Sequence, residues 1–222
     1  VNLSFTNASL FMALSAITIL LFLFFGTKKK LLIPSKLQLV SEMSYTFVAK
    51  MINDTAGSNA KPFFPFIFTL FMFVLFCNMI GMLPYSFTVT SHIIVTFMLA
   101  AIVFVGVTVI GFIKHGIKYL ELFVPKGVPA ILLPLIVIIE IISYLSRPVS
   151  LSVRLFANMM AGHTMLKVFG GFVISLGLLG GWLPLSFSVA LTGLEILVAF
   201  LQAYVFAILT CIYLNDALNL HH

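Results

Sequence analysis

Arg154 lies near the middle of the apolar stretch from Ala130 to Gly181, the longest in the chain. An arginine cannot shed its proton to escape burial, and a charge at the centre of a membrane helix costs roughly 2.5 to 3.5 kcal/mol on insertion scales. A guanidinium tied to carbonyls or a carboxylate of its own chain is the structural explanation. A fixed functional charge is the preferred one, because ionisable groups inside membranes mark ion paths. The other polar exceptions in this region are Glu140, Asn158 and His163, and, in the last apolar stretch, Glu195 and Gln202. Carboxylates and imidazoles pass protons along water near neutral pH. In an antiparallel helix pair the numbers of facing residues add to a nearly constant value, so His163 with Glu195 and Arg154 with Gln202 share one register. Glu195 and Gln202 also share a helix face. Arg154 and His163 point to nearly opposite sides of a straight helix, so that one face meets a partner while another lines a wet cavity. Proton-exchanging groups thus flank a fixed cation that blocks simple passage. Protons cross such a barrier if a mobile carboxylate on another subunit loads on one side and unloads on the other.

The elements that must position these residues are set by composition. Of 222 residues 62% are hydrophobic and only 8% charged, against about 25% charged in a soluble domain. Phe occurs 24 times, and several runs exceed the ~18 to 20 apolar residues that cross a hydrocarbon core. Backbone groups in lipid must satisfy one another, and continuous apolar runs exclude the alternation of barrel strands. The fold class is therefore all-α, a polytopic membrane protein. The formal charge of +6 does not indicate nucleic acid, since the basic residues sit mainly in two short loops as the positive-inside rule expects. Cys77 and Cys211 lie far apart in apolar runs, without metal-ligand spacing, and read as small buried side chains. The first apolar run has no basic segment ahead of it and reads as a retained span, with Val1 a processed or truncated start.

The chain reads as one membrane domain over 1–222, with about five crossings. The first span is 8–25, followed by Lys28, Lys29 and Lys30. Residues 36–53, which mix Leu37, Val40, Phe47, Val48, Met51 and Ile52 with Glu42 and Lys50, form a surface amphipathic helix. Spans at 63–83 and 93–113 follow, joined by an uncharged link over 84–90, and Lys114, Lys118 and Lys126 come after them. Both basic loops fall inside if the N-terminus is outside. The last two segments, 130–181 and 182–214, are too long for upright spans: at ~1.5 Å per residue they run to roughly 78 Å and 50 Å. They form a hairpin of two long, strongly tilted helices, the first kinked at Pro134, Pro148, Gly162 or the Gly170 and Gly171 pair. Glu140 then lies toward the inside, and His163 and Glu195 toward the outside.

Two segments carry a specific likeness. SRPVSLSVRLFANMMAGH at 146–163 and LEILVAFLQAYVFAILTCIYLNDA at 194–217 resemble subunit a of F-type ATP synthases. PYSFTVTSH at 84–92 and KHGIKYLELFVPKGVP at 114–129 resemble its mitochondrial and alphaproteobacterial members, so the likeness covers nearly the whole chain. It implies a non-catalytic stator subunit in an energy-transducing inner membrane, mitochondrial or bacterial. Tilted helices would lie against a rotating ring of c subunits, with peripheral stalk (b-type) subunits and lipid as the other partners. By position, Arg154 matches the family's essential arginine, Glu140 an acid of the inner half-channel, and His163 with Glu195 an outer half-channel pair. Asn158 and Gln202 match polar residues near the arginine. Some relatives bind a metal through a histidine four residues after His163, where this chain has Lys167, so no metal is expected. No other cofactor is expected either, and the absence of a GxxxxGK[ST] loop argues against a nucleotide site. Arg147 reads as a helper or a lipid and carbonyl contact, Asp216 as an interface-level charge, and His92, at the outer start of a span, as an ordinary loop residue, a part in proton entry being the less favoured alternative. The competing classes are a self-contained ion transporter, which needs its own switching carboxylate or two related halves, and a purely structural anchor.

Overall fold

The computed structural model describes residues 6–28, 34–83, 88–123 and 132–219. Lys29, Lys30 and Lys126 of the basic loops, residues 84–87 of the uncharged link, Ala130, His221 and His222 lie outside them. Six α-helices follow one another: α1 (Asn7–Thr27), α2 (Lys36–Ala56), α3 (Phe64–Gly81), α4 (Ile93–His115), α5 (Leu133–Gly180) and α6 (Trp182–Leu218). Short 3-10 segments at Ser58–Phe63, Val89–Ser91 and Gly116–Phe123 join them. No strand occurs among the described residues. Five helices are long and apolar enough to cross a membrane, α2 being the exception. The chain is thus an all-α multi-pass membrane protein.

The helix ends follow local chemistry. The Ser35 side chain accepts the Gln38 amide at 3.4 Å and caps α2. Pro65 and Pro134 sit in the first turns of α3 and α5, where a missing N–H costs no helical bond. At the far end of α4, Lys114 Nζ and His115 Nε2 lie 3.0 Å and 3.2 Å from the Leu218 carbonyl oxygen, which places basic groups at the C-terminus of α6.

α6 is the helix around which the others gather. α3 and α5 pack along it, α2 and α4 also touch it, and α1 lies outside against α2 and α3. Ala199, Ala203, Ala207 and Cys211 recur every fourth residue of α6 and are fully buried. Small side chains at that spacing let neighbouring backbones approach, which is how helices associate where lipid supplies no hydrophobic drive. Asn78 on α3 is also fully buried, and its Nδ2 donates to the Ala199 carbonyl at 3.3 Å. α2 lays Phe47 against Phe71 of α3 and against Phe200 and Tyr204 of α6, while Tyr45 meets Phe64 and Phe68.

α5, with 48 residues, would extend about 72 Å if straight. Its backbone leaves helical geometry at Gly177 (φ 60°, ψ −159°) rather than at Pro134, Pro148, Gly162 or the Gly170 and Gly171 pair. That combination of angles is open essentially to glycine alone. Pro148 is accommodated within a continuous helix and Pro134 in its first turn, so neither proline ends it. Beyond Gly177 the chain turns through Gly181, whose amide donates to the Gly177 carbonyl at 2.9 Å, and α6 begins.

Candidate functional site

The hairpin of α5 and α6 carries all six candidate residues. Near the turn end, His163 Nδ1 lies 3.8 Å from Oε1 of Glu195, within ion-pair distance but beyond a direct hydrogen bond. The Glu195 side chain is buried, 5% exposed, while that of His163 is 26% exposed. Oε1 of Glu195 makes no hydrogen bond among the described residues, so an imidazole or water is the partner its position demands. Gly162 makes the approach possible: a Cβ there would lie 2.6 Å from that oxygen. The other ring nitrogen of His163, Nε2, is 2.7 Å from the Thr88 hydroxyl in the link before α4. Thr88 thus ties the link between α3 and α4 to the hairpin.

One step further along, Asn158 Nδ2 donates to Gln202 Oε1 at 2.9 Å. Gln202, expected opposite Arg154, is therefore engaged by the residue one turn nearer the hairpin. The physical reason is that the two helices do not advance in step. From the stacked rings of Phe169 and Phe187 to the ion pair of Arg147 and Asp216, α6 uses more residues than α5. A register taken from a constant number sum consequently drifts. The buried Gln202 amide nitrogen has no hydrogen-bond acceptor among the described residues.

Arg154 is exposed and, among the described residues, has no carboxylate within ion-pair distance. It lies on a helix whose exposed side chains include Val149, Val153, Met160 and Met165. Glu140 is partly exposed and forms no ion pair with the other candidates among the described residues. Glu140, Arg147 and Arg154 recur every seventh residue, which keeps them near one helix stripe with a drift of about 20° per heptad.

Arg147 takes a place that its reading as a lipid or carbonyl contact did not anticipate. Its Nη1 lies 3.4 Å from Asp216 Oδ2, and its guanidinium lies over the rings of Tyr144 and Tyr213 at 5.2 Å and 5.0 Å. Tyr144 also shares hydrogen bonds with Thr108 at 2.7 Å and Tyr119 at 3.0 Å, joining α4 to the cluster. Asp216 is accordingly the partner of Arg147, with 38% of its side chain exposed near the end of α6. The sequence held one signal for it: two residues of opposite charge near the same end of an antiparallel pair. Thr88 and Asn78 had no such signal, because an uncharged polar residue carries no charge complementarity that would point to its partner.

The family model for the ATP synthase A chain matches residues 9–215. ATP synthase subunit a of Pelagibacter ubique (strain HTCC1062) is 80% identical over 222 residues, covering 100% of this chain and 91% of the relative. ATP synthase subunit a of Chelativorans sp. (strain BNC1) is 62% identical over 227 residues, again with 100% and 91% covered. That of Rhizobium rhizogenes (strain K84 / ATCC BAA-868) is 62% identical over 225 residues, covering 99% of this chain and 90% of the relative. With a match along nearly its whole length and a hairpin that carries an arginine in an apolar helix, the chain belongs to the ATP synthase A chain family, subunit a of F-type ATP synthases.

Proposed function

We propose that this chain is the proton-conducting stator of its synthase, with two offset half-channels that meet a rotating ring of c subunits at Arg154. Protons enter from the outside through His163 and Glu195 and load a ring carboxylate. They travel with the ring and leave past Glu140 on the inside. Asn158 and Gln202 supply polar lining near the arginine, b-type stalk subunits hold the chain against the ring's torque, and the membrane is an energy-transducing inner membrane. The output is rotation. One charge moved through 100 mV releases about 2.3 kcal/mol, so several protons must be combined for each ATP made.

The observation that carries this reading is the contrast between two arginines on one helix. Arg147 is enclosed by Asp216 and two tyrosine rings, whereas Arg154 is exposed with no acid beside it among the described residues. A permanent charge left without a partner on an apolar surface calls for a counter-charge from outside the chain. A carboxylate that passes and is attracted in its ionised form provides one. On this reading protonated ring sites leave toward lipid while ionised ones are held.

The test is ATP-driven proton pumping, with passive proton leak, in vesicles holding the assembled enzyme with Arg154→Ala. Pumping is expected to be lost with assembly intact and leak increased. Normal pumping by an assembled Arg154→Ala enzyme overturns the proposal in favour of a structural anchor.

A further inference from the structure

The hydroxyl of Thr88 has one proton, and its two near neighbours determine where that proton goes. The Gly81 carbonyl oxygen lies 2.8 Å away and can only accept. It belongs to the last turn of α3, where carbonyls lack an intrahelical donor. Among the described residues, the two amides that follow are committed elsewhere, Met82 to Met79 and Leu83 to Ile80. The Thr88 proton therefore points to Gly81, and only oxygen lone pairs remain for Nε2 of His163 at 2.7 Å. Nε2 must then carry a hydrogen and donate. The neutral imidazole has a single N–H, so Nδ1 is the bare nitrogen, and Nδ1 is the atom that faces Oε1 of Glu195 at 3.8 Å.

Thr88 is well placed to enforce this choice. It is 8% exposed, and its own carbonyl accepts the Ser91 hydroxyl at 2.7 Å, which pins the backbone of the link. We propose that Thr88 is a positioning residue that holds neutral His163 as the Nε2–H tautomer, so that Nδ1 takes up and returns the proton exchanged with Glu195. The step is balanced within the pair. When the 3.8 Å gap closes to hydrogen-bond distance, a Glu195 carboxyl gives its proton to Nδ1, leaving a carboxylate and an imidazolium whose Nε2–H still donates to the Thr88 oxygen, and the reverse transfer restores both neutral groups. In the other tautomer Nδ1 would already bear a hydrogen and could not take up the proton of Glu195.

The inference rests on the reading of His163 and Glu195 as a proton-exchanging pair, and the experiment separates the two. In the assembled enzyme, Thr88→Ser keeps the hydroxyl and Thr88→Val keeps the shape without it. ATP-driven pumping should stay near wild type in Thr88→Ser and fall at least about tenfold in Thr88→Val, by analogy with the lower bound for losing the orienting partner of a metal-bound histidine. Wild-type pumping by Thr88→Val, or equal loss in both variants, overturns the proposal. Solid-state nitrogen-15 spectra of the histidine-labelled wild-type enzyme, minus those of His163→Gln, read the tautomer at alkaline pH without depending on assembly of the Thr88 variants. A neutral ring with hydrogen on Nε2 is expected. Hydrogen on Nδ1, or a ring protonated on both nitrogens throughout, overturns the proposal. Undiminished pumping by His163→Gln defeats instead the pair's role in the proton path, whatever the tautomer.

Discussion

A methyl group at position 162 would occupy the space of the Glu195 carboxylate, 2.6 Å from Oε1 and 2.9 Å from Cδ. The obstructing atoms are the end of a flexible side chain, so the protein can fold around the change by moving the carboxylate. Gly162→Ala is therefore expected to assemble normally and to slow ATP-driven pumping by about tenfold, since misplacing reacting groups by ~1 Å costs up to roughly a hundredfold. An assembled Gly162→Ala enzyme with wild-type pumping would show that the carboxylate's position does not matter. Arg154 differs in kind, because it is exposed and no carboxylate among the described residues neutralises it, and its replacement by Ala should leave the hairpin's packing unchanged while abolishing coupling. Comparing the two variants separates a residue that makes room from one that supplies charge.

Between helices, the cluster around Arg147 fastens α4, α5 and α6 at the end away from the hairpin turn. The ion pair with Asp216 is partly exposed, with side-chain exposures of 22% and 38%, so by itself it contributes no more than about 1 kcal/mol. The two tyrosine faces add a comparable amount, about 0.5 to 1 kcal/mol each at exposed sites. Only a planar guanidinium fits between them. The expected order of thermal stability of the assembled enzyme in detergent is wild type, then Arg147→Lys, then Arg147→Leu, which leaves Asp216 without its cation. A Lys variant as stable as wild type would show that charge alone, and not the stack, holds this end.

Across the whole molecule, two sets of contacts define opposite ends. Thr88 in the link between α3 and α4 meets His163 near the hairpin turn, while Lys114 and His115 at the far end of α4 meet Leu218 at the end of α6. If the basic loops lie inside, as the positive-inside rule expects, the first end faces outward and the second inward. Cysteines introduced at the exposed Trp182 and at His115, with the buried Cys77 and Cys211 leaving little background, should react with a membrane-impermeant maleimide from opposite sides of the membrane. Trp182→Cys is expected to label from outside. Labelling of both from one side would overturn the five-crossing arrangement, and a reversed pattern would exchange the entry and exit sides.

The sequence by itself determined the solvent, the fold class and the residues worth asking about. With 62% hydrophobic and 8% charged residues, a helical membrane protein is dictated by backbone desolvation alone, and a charge or imidazole in such a chain is conspicuous at any position. The long hairpin followed from the lack of a polar loop between residues 130 and 181. Tertiary structure decided what depends on distances between helices. It put Gln202 on Asn158 because the two helices advance unequally, Asp216 on Arg147 because two tyrosines hold the guanidinium there, and the break in α5 at Gly177 because the turn requires a positive φ that proline cannot provide. It also brought Thr88 to His163 across 75 positions of the chain. A hydroxyl has no hydropathy signature strong enough to announce such a contact, and the proton it directs is set by a carbonyl at the end of a third helix.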